Sequence, residues 1–285
     1  MQTNYNERLV RRGEIFISRD ILKNWNKDLA KMNRNKRGRP YQYPDTLIRT
    51  MAYAKQCYGL AYRQTEGLFR AYDLPCVPDY TLLQKRIASM KIKIPARYKK
   101  KKNTIIAVDS TGFKVTNSGE WMRSKWNGKR KGFLKMHIAV DVKTGEILVS
   151  VITDEHSHDS PQLEKLVKQA SKHGTISAVL ADGAYDSYRG FSYLSDQKIT
   201  PGIRVRKNSV PKSRGCRAHK LAVIAQFADY KKWAASVSYG KRWRVESTFS
   251  ALKRIFGEAV RSKNKKNMAT ELMLRIMLYN QFLMA

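Results

Sequence analysis

A chain of 285 residues is long enough for one well-filled core and a smaller companion domain. It carries 56 Lys and Arg against 23 Asp and Glu, a formal net charge of +33, far beyond what solubility requires, so a polyanion is the expected partner. Because 42% of the residues are hydrophobic and 10% aromatic, a core can be buried, which excludes a disordered basic tail or a membrane-lytic peptide. No basic segment leads into an apolar run with a small-residue cleavage site, and no apolar run reaches the roughly 18 residues of a membrane span, so the expected location is cytoplasmic with no membrane partner. Cys57, Cys76 and Cys216 are odd in number and widely spaced, which fits neither a disulfide framework nor a zinc knuckle.

The first hundred residues carry helix signals and almost no strand alternation. After Tyr43-Pro44-Asp45, the residues Leu47, Met51, Ala54 and Tyr58 recur at helical spacing up to Gly59. Leu60 to Tyr72 reads as a second helix and Thr81 to Met90 as a third, with Pro75, Pro78 and Asp79 between them. Three short helices with tight turns suggest a helix-turn-helix. Its third member would present Tyr80, Gln84, Lys85 and Arg86 away from the apolar stripe, residue types able to reach base edges and phosphates, although a plain solvated helix face reads the same way. From Lys91 to Lys102 seven of twelve residues are basic and none is acidic, the composition of a linker that tracks a phosphate backbone or simply stays solvated.

Past Lys102 strands alternate with helices. Thr104 to Val108 is a short β-branched run. Phe133 to Val140 and Glu146 to Thr153 flank a Lys143-Thr144-Gly145 turn as a hairpin. Pro161, after Asp159 or Ser160 as cap, opens a helix to about His173, with His156-Ser157-His158-Asp159 read as loop and cap rather than a metal cluster. Ala178 to Ala181 is a strand, Ser187 to Gln197 a helix, Ile199 to Val205 a strand, and the rest from about Ala218 is helical. This order predicts an α/β chain with a mixed sheet and helices packed on it, giving an N-terminal helical region over 1–90, a basic linker over 91–102 and a second domain over 103–285.

In so basic a chain an acid at the end of a buried strand needs a reason. Asp109 follows Thr104 to Val108 and Asp182 follows Ala178 to Ala181, so both are placed at strand C-termini, where sites of sheet proteins gather. Asp109-Ser110-Thr111-Gly112 also reads as a hairpin turn, and Asp182-Gly183 as a turn toward a helix. Tyr239, Arg242, Glu246 and Lys253 stand at offsets 0, 3, 7 and 14, which at about 100° per residue fall within roughly 60° of one helix face. Val245, Phe249, Leu252 and Phe256 form the neighbouring apolar stripe. A polar flank of an ordinary amphipathic helix has the same spacing. Trp243 reads either as a stacking platform for an unpaired base or as core.

The run from Tyr239 through Arg242 and Glu246 to Lys253 resembles the signature around the last carboxylate of DDE transposases from prokaryotic insertion sequences. Ala107-Val-Asp-Ser-Thr-Gly112, Gly119-Glu-Trp121, Lys135-Met-His-Ile-Ala-Val-Asp141, Thr144-Gly-Glu-Ile147, Ala181-Asp-Gly-Ala-Tyr-Asp186 and Glu246-Ser-Thr-Phe-Ser-Ala-Leu-Lys-Arg-Ile-Phe-Gly257 look like the insertion-sequence family numbered five. Tyr62 to Gly67 and Val77 to Thr81 resemble its N-terminal helical region.

That resemblance implies a ribonuclease H-like catalytic core over 103–285 after a helix-turn-helix-like DNA-binding region. It also implies that Asp109, Asp182 and Glu246 are the catalytic acids, holding two Mg²⁺ for which Mn²⁺ can substitute. Tyr239, Arg242 and Lys253 are then expected near phosphates, and Gln84, Lys85 and Arg86 on DNA. The implied partner is double-stranded DNA, as element terminal inverted repeats and as target, with a homodimer on DNA as an assembly it allows, in a prokaryotic cytoplasm at the nucleoid. The 64 residues from Asp182 to Glu246 leave no room for a large inserted β-domain, only the basic segment Arg204 to Arg217. Two other readings share these features: a nuclease of similar fold without strand transfer, and a transposase-derived DNA-binding protein that has lost its chemistry.

Overall fold

The computed structural model describes residues 6–7, 10–13, 20–90, 92, 94, 101–115, 132–212 and 215–284. Most of the expected linker, and the Gly-Glu-Trp segment at 119–121, lie outside them. The chain divides into two compact units, one of Met1–Lys93 with Ser262–Ala285 and one of Ile94–Arg261.

In the first unit α1 (Asp20–Asn33), α2 (Asp45–Cys57), α3 (Tyr62–Arg70) and α4 (Tyr80–Ser89) are joined by α10 (Lys265–Met284). The apolar spacing seen in the sequence becomes the buried stripe Leu47, Ile48 and Met51 of α2 and Leu83 and Ile87 of α4. Asp79 caps α4 by accepting from the amides of Thr81 and Leu82, worth about 1 kcal/mol. Glu66 accepts from the amide of Tyr80, tying α3 to the start of α4.

Residues 262–285, expected with the second domain, instead pack in this first unit. The reason is long-range. Leu272, Ile276 and Leu278 of α10 are buried, and α10 lies on α2 and α4. Its buried Glu271 pairs with Arg275 at 2.8 Å and accepts from both the amide and the hydroxyl of Ser262.

The second unit is a five-stranded mixed sheet in the order β3-β2-β1-β4-β5. Its strands are β1 (Lys101–Lys114), β2 (Phe133–Asp141), β3 (Ile147–Asp154), β4 (Gly174–Ala181) and β5 (Thr200–Ile203). β1, β2 and β3 form an antiparallel meander, while β4 and β5 are added parallel to β1. Against one face lie α5 (Ser160–Ala170), α6 (Tyr188–Asp196) and α7 (Arg217–Ala228). Between them Ile106, Val108, Leu163, Leu166, Phe191 and Val223 form one core cluster, each large side chain contributing about 1.5–3 kcal/mol. α8 (Tyr230–Ser236) and a 3₁₀ turn at Tyr239–Arg242 precede α9 (Trp243–Phe256). α9 packs on β1 and β2 through Val245, Phe249 and Leu252.

β1 does not stop at Val108 as its apolar run suggests. It continues through Asp109 to Lys114, because Ser110–Lys114 stay paired with Phe133–His137. On its other edge the last parallel pair with β4 is Ala107 with Leu180. A bridge to Ala259 resumes at Lys114, held by Lys114 N to Glu258 O at 2.9 Å and Val260 N to Lys114 O at 2.8 Å. Asp109 is therefore in mid-strand, just past the point where its parallel neighbour ends.

Candidate active site

β4 ends at Ala181 and the next residue, Asp182, leaves the sheet in extended conformation. Its carboxylate accepts from the amide of Ala184 at 3.0 Å, capping the single turn Gly183–Tyr185. Asp186 in turn accepts from Arg206 N, Ser209 Oγ and the buried His219 Nε2, at 2.7 to 2.9 Å. Arg206 also donates through Nε to the carbonyl of Gly183. The start of the basic segment Arg204 to Arg217 is thereby fastened against the turn that carries Asp182.

Asp109, one strand over, accepts from the amide of Ser110 at 2.7 Å. Arg242 spans two acids: Nη1 lies 3.4 Å from Asp109 Oδ2, and Nη2 pairs with Glu246 Oε1. The side chains of Asp109 and Arg242 are 19% and 21% exposed, whereas that of Glu246, in the first turn of α9, is 55% exposed. Burial pushes the Asp109 carboxyl up to about 6 against the opposing amide of Ser110. Asp182 and Glu246 raise it further, and Arg242 pulls it down. The guanidinium of Arg242 is held above its ordinary range: burial opposes this, but Tyr239, Glu246, Asp109 and Asp182 outweigh it.

The three acids thus share one electrostatic neighbourhood. Among the described residues, however, no three His, Cys, Asp or Glu side chains stand close enough to hold a metal ion as they are. Arg242 is the cation that spans Asp109 and Glu246.

The expected single helical face from Tyr239 to Lys253 is not formed, because Tyr239–Arg242 is a 3₁₀ turn and α9 begins only at Trp243. Tyr239 turns inward. Its hydroxyl donates to the carbonyl of Ala181 at 3.3 Å, and its ring lies 5.1 Å from that of Trp233. Burial takes its phenol up to about 12. It props the end of β4 next to Asp182. Lys253 sits over the ring of Phe113, 5.7 Å from its centroid.

In the first unit Lys85 is exposed, Gln84 is half-buried, and Tyr80 is stacked under Arg63 at 4.8 Å. Arg86 is engaged within the fold, paired with Asp45 and lying 4.8 Å over Tyr41.

A layer behind the acids was not singled out from sequence. Asp159, the residue before α5, does not cap the helix with its side chain. Its Oδ1 lies 2.8 Å from Lys135 Nζ and 3.2 Å from Nδ1 of the fully buried His137. Burial alone would raise the Asp159 carboxyl, but His137, Lys135 and the Ser110 side chain hold it down to about 2. Ser110, His137 and Lys135 share a sheet face because Ser110 pairs with His137 and residues two apart point the same way. Asp159 therefore anchors the residue adjoining Asp109. The available sequence signal was an acid followed by Pro161, which capping explained equally well.

The raised carboxyl has a consequence for stability. Asp109 titrates near 6 in the fold against an ordinary value of 3.8, so the folded state holds a proton that the unfolded state has lost. Stability then falls as pH rises through that window and stays reduced above it. At about 1.4 kcal/mol per pH unit the loss is at most about 3 kcal/mol. Asp109→Asn is expected to be more stable than wild type at pH 8 in EDTA, with the advantage vanishing near pH 4. Urea denaturation at several pH values checks this, and a pH-independent difference between the two proteins contradicts it.

A family model described as Transposase DDE domain matches residues 100–281, and a second model of the same description matches residues 10–118. Among solved structures, the chain is similar to a piggyBac transposase synaptic complex with hairpin DNA, at 12% identity over 96% of this chain and 74% of that one, with a TM-score of 0.43. A simian T-cell lymphotropic virus intasome in complex with PP2A regulatory subunit B56 gamma gives 14% identity over 78% and 66%, with a TM-score of 0.31. Likeness of that degree bears on neither fold nor activity.

Proposed function

The chain belongs to the Transposase DDE domain family, and from that premise we propose that it is the transposase of a prokaryotic insertion sequence of the family numbered five, cutting element ends and joining them to target DNA at Asp109, Asp182 and Glu246. One observation carries the assignment of residues: Arg242 pairs with both Asp109 and Glu246, at the point where β4 delivers Asp182 beside β1. The mixed sheet, with three antiparallel strands followed by two parallel ones, supports a ribonuclease H-like core. Among the described residues no helix is long and apolar enough to cross a membrane.

The donor chemistry fits hard divalent cations. Three carboxylates converge on one electrostatic neighbourhood, Asp109 is more than four-fifths buried and costly to ionise without a cation, and no thiolate or imidazole is part of the group. Asp109, Asp182 and Glu246 would hold two Mg²⁺, or Mn²⁺ in their place, which when bound would supply activation of the attacking oxygen and neutralisation of charge at phosphorus.

The remaining work falls to the chain's own groups. The amide of Ser110 fixes one oxygen of Asp109, and the amide of Ala184 fixes one of Asp182, so neither carboxylate must be ordered during reaction. Tyr239 holds the strand end beneath Asp182. Arg242, which rests on Asp109 and Glu246, would be free to pair with a substrate phosphate once cations take its place on the acids. Hydrolysis and strand transfer then differ only in the nucleophile, water or a DNA 3′ hydroxyl. α2 to α4 present Lys85 toward DNA and supply preference for element ends.

The test is to incubate the protein with Mg²⁺ and DNA carrying the element ends. Nicked and joined products are expected, and nicking without joining would favour the nuclease reading. Activity should appear with Mg²⁺ or Mn²⁺, disappear with EDTA and need no Zn²⁺. Cutting that persists in EDTA would overturn the two-metal assignment.

A further inference from the structure

Ser110 joins the two faces of the sheet at the acid site. Its amide fixes one oxygen of Asp109 at 2.7 Å, while its side chain follows Ile106 and Val108 into the face covered by α5, α6 and α7, because alternate residues of a strand point the same way. There the Ser110 hydroxyl donates to Asp159 and lies beside the hydroxyl of Tyr185. Asp159 is itself held by Lys135 and by the fully buried His137. Tyr185 comes from the other acid. It ends the single turn after Asp182, its amide donating to the Asp182 carbonyl at 3.2 Å, and its ring is fully buried in the core cluster with Val108, Leu163 and Phe191. The Tyr185 hydroxyl is thus within electrostatic reach of Asp109, Asp159 and Asp182 together.

Core packing does not account for that hydroxyl. It is buried with no well-aligned hydrogen-bond partner, and a buried polar group in that state costs about 1–3 kcal/mol. Phenylalanine would fill the same space without that cost. We infer that Ser110 and Tyr185 are positioning residues, whose adjoining hydroxyls, anchored by Asp159, set the spacing at which Asp109 and Asp182 meet divalent cations. The inference rests on the proposed function, which makes those two acids metal ligands. The last parallel pair between β1 and β4 is Ala107 with Leu180, so each acid, two residues further on, depends on other contacts for its place. Ser110 adjoins Asp109 and Tyr185 closes the Asp182 turn, so contact between their hydroxyls ties one acid's segment to the other's. Neither hydroxyl is a ligand in this reading. Each acts through the neighbouring acid, as the partners behind metal ligands do, and loss of such a partner typically costs about 10- to 100-fold in metal affinity.

The experiment titrates Mn²⁺ alone into the full chain, without DNA, and reads free Mn²⁺ by electron paramagnetic resonance. Tyr185→Phe and Ser110→Ala should each weaken Mn²⁺ binding about 10- to 100-fold, and the double variant should be no weaker than the worse single one, since both remove one contact. Ser110→Thr keeps the hydroxyl and should restore affinity to within a few fold of wild type. In EDTA, Tyr185→Phe should melt at or above the wild-type temperature, because the hydroxyl it removes lacks an aligned partner. Single-turnover cleavage should fall with Mn²⁺ affinity while DNA binding holds. Wild-type Mn²⁺ affinity in Tyr185→Phe would overturn the inference, and so would lower stability in EDTA with Mn²⁺ affinity unchanged, the mark of a hydroxyl that serves the core alone. Asp109→Asn separates the two readings. If it binds Mn²⁺ as tightly as wild type, the acid site itself fails; if it loses Mn²⁺ while Tyr185→Phe keeps it, only the spacing role of the hydroxyls fails.

Discussion

Asp182→Asn is expected to abolish cleavage while DNA binding stays unchanged or tightens slightly. The substitution is close to isosteric, and the oxygen that caps the Gly183–Tyr185 turn by accepting from Ala184 survives in the amide, so the local fold has no reason to move. What the proposed site would lose is a hard anionic ligand. Residues that only orient a metal ligand typically cost 10- to 100-fold when changed, so loss of a ligand itself should cost more than about a hundredfold. Removing a negative charge near the phosphate path accounts for the expected effect on binding. It also relieves Asp109, whose carboxyl Asp182 helps to raise. Single-turnover cleavage, a gel-shift titration and a melting curve on the same preparation separate these effects. Turnover within a few fold of wild type would remove Asp182 from the site.

What could be read in the sequence followed local periodicity. The β2–β3 hairpin with its glycine turn, α5 with Pro161 in its first turn, and α6 after Ser187 all lie within a few residues of expectation, because each is specified by neighbours in the chain. The differences arise where distant segments decide. β1 runs on through Asp109 because β2 and then residues 258–260 pair with it, and neither partner is visible in Asp-Ser-Thr-Gly. Residues 262–285 look like any C-terminal helix until Leu272, Ile276 and the Glu271–Arg275 pair meet the N-terminal helices. A helical wheel from Tyr239 assumes one continuous α-helix, which the 3₁₀ turn at 239–242 breaks. Yet Arg242 and Glu246 still meet, because four residues across that junction keep them within reach. The three candidate acids could be proposed from order and resemblance, whereas the contacts of Asp159 could not be read, since one of its partners lies 49 positions away (159 − 110).

Glu246→Asp tests geometry rather than charge. Glu246 stands in the first turn of α9, whose apolar side, Val245, Phe249 and Leu252, is buried against the sheet, and its own carboxylate reaches Arg242. Shortening the side chain by one methylene withdraws the carboxylate by roughly an ångström, a displacement that can cost about a hundredfold in a pre-organised site. Because the Glu246 side chain is 55% exposed, folding does not depend on it, and the loss should appear in the chemical step with stability and DNA affinity held. Glu246→Gln keeps the reach and loses the charge, so it should fail as well. Ser250, one turn later, has no carboxylate to stand in. If Glu246 were only a solvated flank of α9 held by Arg242, aspartate would cost no more than the few tenths of a kcal/mol usual at exposed helix positions. A single-turnover cleavage rate for Glu246→Asp within a few fold of wild type would therefore refute its place as the third acid, even with Asp109 and Asp182 confirmed.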